Sequence, residues 1–387
     1  MGESERRLER VQALDLLRGL AVAGMIVVDS PGDWSKVYAP LEHAAWNGWT
    51  PTDLVFPTFL FCVGMAWTLS FPRGEPELPK LWLRVFRRTF LLILIGLFLN
   101  ALPDFDLAHL RVPGILQRIA ICYLTTAALT LWTARRHDGM LHVNPTAMAV
   151  AAIVLLFGYW AVLRFVPTPG YGAGHLDSLR ALPAWIDRSI FSTDHMWKYG
   201  TTDGAGVTYD PEGILSTLGA VGNCLAGVLA AVAVRKLPRL RSIVLFAAAG
   251  AVLIGLAYLL DPVLPLNKRI WTSNFTVATS GVALLLLAGL LLLPVRSFVT
   301  ALTRPLKVLG ANAILAFILS QLLGVFSGVK FVPWNHGMIT PQGWGNAFAN
   351  GLIADPYVAS LACAIAILLI ILLMIVPLHR RGVFLRV

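Results

Sequence analysis

The chain has 387 residues, of which 57% are hydrophobic and only 13% charged, and it carries a formal charge of +10. Soluble domains hold about 45–50% apolar and about 25% charged residues. This composition therefore excludes a cytoplasmic globular enzyme, a disordered chain and a small secreted scaffold, and it points to a polytopic all-α membrane protein.

A membrane span needs about 20 mostly apolar residues. Ten segments meet that need: 14–29, 54–71, 86–102, 113–134, 145–166, 211–234, 242–260, 272–293, 306–327 and 355–377. The first is shortened by Asp15 and Arg18 and follows Arg6, Arg7 and Arg10, so it has the look of a signal peptide. No small-residue cleavage site follows, and the segment is read as a membrane helix. Ten spans put both termini on one side. With that side cytoplasmic, twenty of the 31 Lys and Arg residues fall inside and eight outside, the bias expected of positive-inside topology. The basic balance then needs no nucleic acid, and no basic-aromatic surface of a nucleic-acid binder is present. Residues 1–387 read as one transmembrane domain, with the longest loop, 167–210, on the extracytoplasmic side. Cys62, Cys122, Cys224 and Cys363 lie in apolar runs without CxxC spacing. They read as small buried hydrophobes, and no metal site is expected.

Charge inside a span is costly and usually functional. Four clusters stand out in chain order. Asp15 and Arg18 are three apart on one helix face. They form an ion pair, or else Arg18 faces an anionic ligand from the cytoplasm. Next, Asp29 and the run Glu42-His43-Ala44-Ala45-Trp46-Asn47, ending at Asp53, link the first two spans on the outer side. An imidazole ordinarily exchanges its proton near neutrality, so His43 is of the type that can take a proton from an attacking amine or hydroxyl. Asp29, Glu42 and Asp53 are possible orienting carboxylates, and Asn47 can donate to a developing oxyanion. Thr50-Pro51-Thr52-Asp53 also has the form of a helix start, which explains Asp53 without any catalytic role. In the third cluster, Arg111 precedes Pro113, and Arg118 enters the membrane, where it needs a carboxylate or a ligand phosphate. The fourth comprises Asp210-Pro211-Glu212 and Asn267-Lys268-Arg269-Ile270-Trp271. Carboxylates, an amide and an aromatic ring on one side of a membrane suit a sugar. No Walker A, GxGxxG, HExxH or GxSxG motif competes, which excludes an ATP-driven pump within this chain.

Six stretches carry a resemblance: LDLLRGLAVAGMIVVDSPG, PLEHAAWNGWTPTDLVFPTFLFCVG, RVPGILQRIAICYL, YDPEGILSTLGAVGNCLAGVLA, PLNKRIWTSNFTVATSG and PLKVLGANAILAFILSQLL. In this order they resemble the heparan-α-glucosaminide N-acetyltransferase family and its bacterial relatives, some linked to N-acetylglucosamine utilisation. The resemblance implies a homodimeric enzyme of the bacterial inner membrane. Such an enzyme moves acetyl from cytoplasmic acetyl-CoA to a glucosamine-type amine on the far side. It implies that His43 is the active-site histidine, and residue type adds Asp29 and Asn47 as its expected companions. The family often has Asn where this chain has Asp29. Glu212, Asp210, Asn267, Lys268 and Trp271 become the expected acceptor site. Arg18, Arg84, Arg87 and Arg88, together with Arg111 and Arg118, become the expected donor-binding arginines, since a guanidinium fork suits phosphate. The extended pantetheine arm, on the order of 15–20 Å long, is expected to carry the thioester towards His43. The large luminal domain of the animal enzymes has no counterpart here, so a small sugar or short glycan end is the expected acceptor. Transfer can be direct or through an acetyl-histidine. Two rivals share the pattern: a membrane O-acyltransferase acting on envelope glycans, and an amino-sugar transporter with a midplane site.

Overall fold

The computed structural model describes residues 3–71, 77–137, 140–293, 301, 303–334 and 337–385. Arg73, Arg296 and Arg386, counted above with the basic side, lie outside them. The described chain is mainly helical: α1 (Glu3–Val28), α2 (Val55–Ser70), α3 (Leu78–Ala101), α4 (Ile115–Trp132), α5 (Pro145–Phe165), α6 (Leu182–Phe191), α7 (Thr217–Lys236), α8 (Arg239–Leu260), α9 (Ser273–Leu292), α10 (Arg304–Ala311), α11 (Ala313–Ser327), α12 (Pro341–Leu352) and α13 (Pro356–Arg380). Its strands are four short antiparallel ribbons: Arg135–His137 with Met140–His142, Pro167–Thr168 with Gly172–Ala173, Thr201–Thr202 with Gly206–Val207, and Val332–Trp334 with Gly337–Ile339.

Several helices begin where the sequence places a polar cap before proline. Asn144 accepts the Ala147 N–H ahead of Pro145, Thr340 accepts the Gly343 N–H ahead of Pro341, and Asp355 accepts the Tyr357 and Val358 N–H groups ahead of Pro356. In each case the proline falls where its missing N–H costs no hydrogen bond.

A helix occupies each of the ten predicted segments. Seven helices, namely α2 with its 3₁₀ lead-in (Pro51–Ser70), α4, α5, α7, α8, α9 and α13, are long and apolar enough to cross a membrane. The predicted span 306–327 is not one straight helix. α10 and α11 meet at 87°, and taken together they can count as an eighth, broken span. Asn312 sits at the break, its Nδ2 donating to Val308 O (3.1 Å). α1 and α3 bear charge: Asp15 and Arg18 in α1, and Lys80, Arg84, Arg87 and Arg88 in the first half of α3.

The chain divides into two compact units. The first comprises Met1–Ala44, Thr50–Phe56 and Leu293–Arg386. Here α1 and α10 approach backbone to backbone. A Cβ on Gly310 would strike the Asp15 carbonyl, and one on Gly19 would strike the Leu306 carbonyl. The second comprises Ala45–Trp49 and Pro57–Leu292. In it α2 and α7 interlock in the same manner, Gly64 against the Cys224 carbonyl and Gly227 against the Phe61 carbonyl. Small residues at such crossings let helices gain dispersion contacts where the surrounding lipid removes any hydrophobic drive. α7 and α9 add polar contacts: Asn223 Nδ2 donates to Thr279 Oγ1 and Ser280 Oγ, both at 3.0 Å. Cys62, Cys122 and Cys224 are buried and Cys363 is half-buried.

The α1–α10 contact gives a direct test. Gly310→Val should destabilise the protein by about 1–3 kcal/mol through overpacking, read as a lower thermal midpoint in detergent. Gly289→Ala, in α9 with open space around it, should leave the midpoint unchanged or raise it.

Candidate functional site

In the first unit the polar centre is the loop from α1 to α2. Pro51–Leu54 forms a 3₁₀ turn before α2, and Asp53 reaches back from it to the Thr50 N–H (3.0 Å). This is the carboxylate half of a capping box. The same Oδ2 accepts the Ala44 N–H (3.0 Å), while Oδ1 lies 2.7 Å from His43 Nδ1. Thr50 Oγ1 completes the turn, 2.6 Å from Glu42 O and 3.2 Å from Asp53 Oδ2. The Asp53 carboxylate is fully buried, whereas 35% of the His43 side chain is exposed. A carboxylate on Nδ1 assigns the proton to that nitrogen and leaves the lone pair on Nε2. The imidazole is thus set up to accept a proton at Nε2 while Asp53 stabilises the resulting cation. Among the three carboxylates considered for orienting His43, Asp53 bonds it directly. Asp29 closes α1 with its N–H on Met25 O, and its side chain is half-buried.

Also in the first unit, Arg18 Nη2 pairs with Asp15 Oδ1 (2.8 Å), and its Nε donates to the Gly310 carbonyl. The expected i, i+3 ion pair therefore forms, and it ties α1 to α10.

The second unit holds a polar and aromatic cluster. Arg111 grips Asp210 with two parallel bonds, Nε to Oδ2 (2.9 Å) and Nη2 to Oδ1 (2.6 Å), and Nη2 also reaches Glu212 Oε2 (2.5 Å). The two carboxylates thus share the Arg111 guanidinium. Burial lowers the proton affinity of Arg111, but Asp210 and Glu212 outweigh it and hold the guanidinium above the ordinary arginine range. Asp210 further accepts the Trp197 and Glu212 N–H groups. Arg111 and Arg269 stand over the Trp197 ring, 6.0 and 5.5 Å from its centroid. Trp197 meets Tyr199 edge-on, and Tyr199 is 65% exposed. Asn47 and Asn267 are brought together, Asn267 Nδ2 donating to Asn47 Oδ1 (3.0 Å). Gly48 makes this approach possible. Its φ of +93° is open to glycine, and its N–H reaches Leu266 O (2.7 Å).

The remaining predicted residues take interior or inner positions. Trp271 is wholly buried in a left-handed conformation (φ 48°), with Nε1 on Asn223 Oδ1 (3.1 Å). The Arg118 guanidinium stands 5.0 Å from its ring centroid. The aromatic faces near the outer carboxylates are thus those of Trp197 and Tyr199, which the sequence offered only as part of a long loop. Arg118, equally buried, donates to the Gly213 carbonyl and to Ser216 Oγ. Lys268 is half-buried, and its carbonyl accepts the Trp271 N–H. On α3, Arg84 and Arg87 are exposed, while Arg88 lies 4.6 Å over the Tyr123 ring. Among the described residues no cluster of His, Cys, Asp or Glu is arranged to hold a metal ion.

Asp187, on α6 within the long outer loop, had no role in the sequence reading. It is buried and accepts the Ile214 N–H at 3.0 Å. A Cβ on Gly213 would collide with its carboxylate. The next residue, Arg188, donates to the Thr208 and Leu179 carbonyls. The segment carrying Asp210 and Glu212 is therefore held on both sides by α6. Burial pushes the Asp187 carboxyl up to about 7, with Asp210 adding to it. The Ile214 N–H, Arg118 and Arg188 act in the opposite direction. The native state then binds this proton more tightly than the unfolded chain does. Stability should fall as pH rises from about 4 to about 7 and level off above. Asp187→Asn keeps an acceptor for Ile214 and should flatten that slope, as followed by thermal unfolding across the pH range.

A family model described as heparan-α-glucosaminide N-acetyltransferase, catalytic, matches residues 10–171, a stretch that contains His43, Asp53 and Arg111. The heparan-α-glucosaminide N-acetyltransferase of Mus musculus is 28% identical over 358 residues, covering 81% of this chain and 54% of the mouse protein. The Homo sapiens protein of the same name is 28% identical over 353 residues, covering 80% and 52%. The chain spans about half the length of the curated relatives it matches. Over most of its length, then, it resembles the heparan-α-glucosaminide N-acetyltransferases.

Proposed function

We propose that the chain is a transmembrane N-acetyltransferase that moves acetyl from acetyl-CoA to the amine of a glucosamine-type sugar. The observation that carries this reading is the His43 Nδ1–Asp53 Oδ1 bond of 2.7 Å on a partly exposed imidazole, within the segment matched by the acetyltransferase family model. In the reaction the acceptor nitrogen attacks the thioester carbon. The N–C bond forms as the C–S bond breaks, the amine proton passes to His43 Nε2, and the imidazolium then gives that proton to the leaving thiolate, which frees coenzyme A as the thiol and restores neutral His43. Asp53 holds the imidazole in the receiving tautomer and offsets its positive charge.

Glu212 and Asp210, oxygen acceptors gathered beside Arg111, suit the hydroxyls and amine of an amino sugar, and the exposed Tyr199 ring beside Trp197 suits its apolar face. Arg84 and Arg87, exposed on the first turns of α3, are the guanidinium groups best placed by exposure to meet donor phosphates. The charge asymmetry supports an enzyme of the bacterial cytoplasmic membrane with both termini inside and His43 on the outer face. Ten spans remain our reading, with α1 and α3 as charged members.

Purified protein should transfer label from acetyl-CoA to glucosamine and short chitosan fragments, and not to their N-acetylated forms. Transfer to N-acetylated sugars would favour an O-acyltransferase, and sugar uptake by proteoliposomes without acetyl-CoA would favour a transporter. His43→Ala should lose roughly 10²–10⁴-fold in rate with an unchanged unfolding profile. Asp53→Asn should lose less, since it removes the carboxylate on Nδ1 but leaves the imidazole in place. A folded His43→Ala protein with full activity would overturn the assignment.

A further inference from the structure

α12 reverses the usual amphipathic arrangement. Gln342 and Asn346, four residues apart, share one face of this helix. Gln342 Nε2 donates to Pro31 O at 2.6 Å. Asn346 packs on Gly32, where a Cβ would meet both its carboxamide and the Cys363 side chain. α13 holds the same loop through Ser360. The Gly32 N–H reaches Ser360 O, and the Asp33 N–H reaches Ser360 Oγ (3.0 Å). Trp344, Phe348 and Leu352 fall about 200° further round the helix and are 44%, 58% and 73% exposed. The Trp344 and Phe348 rings stack with centroids 5.9 Å apart. Phe331, Trp334 and Met338, on the ribbon just before α12, are exposed as well. A helix at a water-facing surface turns its apolar stripe inward. This one turns Gln342 and Asn346 inward and its rings outward, with Asn350 exposed near its C-terminal end.

Two observations say what covers the outward face. Three residues join Leu352 to Pro356, the start of α13, which is long and apolar enough to cross a membrane. Three residues reach about 10 Å, so the end of α12 sits where α13 enters the bilayer. Moreover, α12 contains no charged residue, so it gives a charged protein partner or headgroup nothing to select.

We propose that α12 lies in the headgroup–acyl boundary of the bilayer, its Trp344–Phe348–Leu352 face against lipid and its Gln342–Asn346 face holding the loop at 31–33. The partner is the lipid surface itself, whatever its headgroup charge. The inference rests on α13 as a span and is independent of the acetyl-transfer reading.

The test places a fluorophore at Phe348→Cys in a Cys363→Ala background, the full chain being reconstituted in phosphatidylcholine vesicles. Interfacial helices bury their apolar face about 5–10 Å deep. Lipids with a nitroxide near the headgroup should therefore quench at least twofold more than lipids with one near the chain end. Quenching should also be independent of the protein-to-lipid ratio. Quenching by aqueous iodide without quenching by lipid nitroxide would overturn the proposal, showing a water-facing helix. Cross-linking of the unlabelled Phe348→Cys variant through its introduced thiol, rising with protein density, would also overturn it, showing a second copy on this face.

Discussion

A carboxylate with no exposed surface must find its donors inside the fold, and Asp53 finds three N–H donors within ten residues of chain: His43 Nδ1, Ala44 N and Thr50 N. Leaving a buried charge without such partners costs several kcal/mol, so the loop from His43 to Asp53 closes as a single turn around one carboxylate. The cap of α2 and the orientation of the imidazole are therefore the same structure. A helix start recognisable from Thr50-Pro51 fixes where the carboxylate sits, and the carboxylate fixes which imidazole nitrogen carries the proton. The polar loop at 31–33, held by α12 and α13, feeds into this turn from the other end.

The second unit meets the same constraint by sharing charge. Arg111 divides its donors between Asp210 and Glu212, and Asp210 also takes two backbone N–H groups. Arg118 satisfies the Gly213 carbonyl, while Asp187 satisfies the Ile214 N–H. The short stretch from Thr208 to Ser216 thus draws on α4, α6 and the Arg111 loop. Such a network is rigid, because removing any one member strands a buried polar partner.

Much of this was legible in the sequence. Apolar runs mark all ten helical segments, and the cap-proline pairs Asn144-Pro145 and Asp355-Pro356 mark where two of them start. His43, the Arg18–Asp15 pair and the helix-start character of Asp53 follow from residue type and spacing. The bond between His43 and Asp53 does not, because ten residues of loop must fold back to make it. Arg111 offers a similar case. Sequence shows an arginine in an outer loop, and only the packing of segments 99 residues apart reveals that Asp210 takes its guanidinium. Trp271 shows the limit from the other direction. An outer-side tryptophan beside Asn267 looks like a sugar platform, yet its left-handed backbone turns the ring into the interior against Arg118 and Asn223. The break at Asn312 is likewise invisible to a hydropathy window, which sees apolar residues on both sides of an 87° corner.

Solvent inverts the meaning of amphipathicity, and α12 shows how far that can be read. In water, the Gln342–Asn346 stripe would be the outer face and the Trp344–Phe348–Leu352 stripe the core. At the edge of a bilayer, amides gain by turning to the backbone of a neighbouring loop, since hydrocarbon offers them no hydrogen bonds. Rings with a polar edge gain by staying at the boundary. The same preference accounts for Tyr38 and Tyr357, which meet at 5.5 Å beside the first turn of α13. Periodicity identifies the helix in either solvent, but which stripe faces the protein is fixed by what surrounds it. In a chain with so few charged residues, each one that is buried ends up organising a turn, and the apolar faces left over mark the level of the membrane.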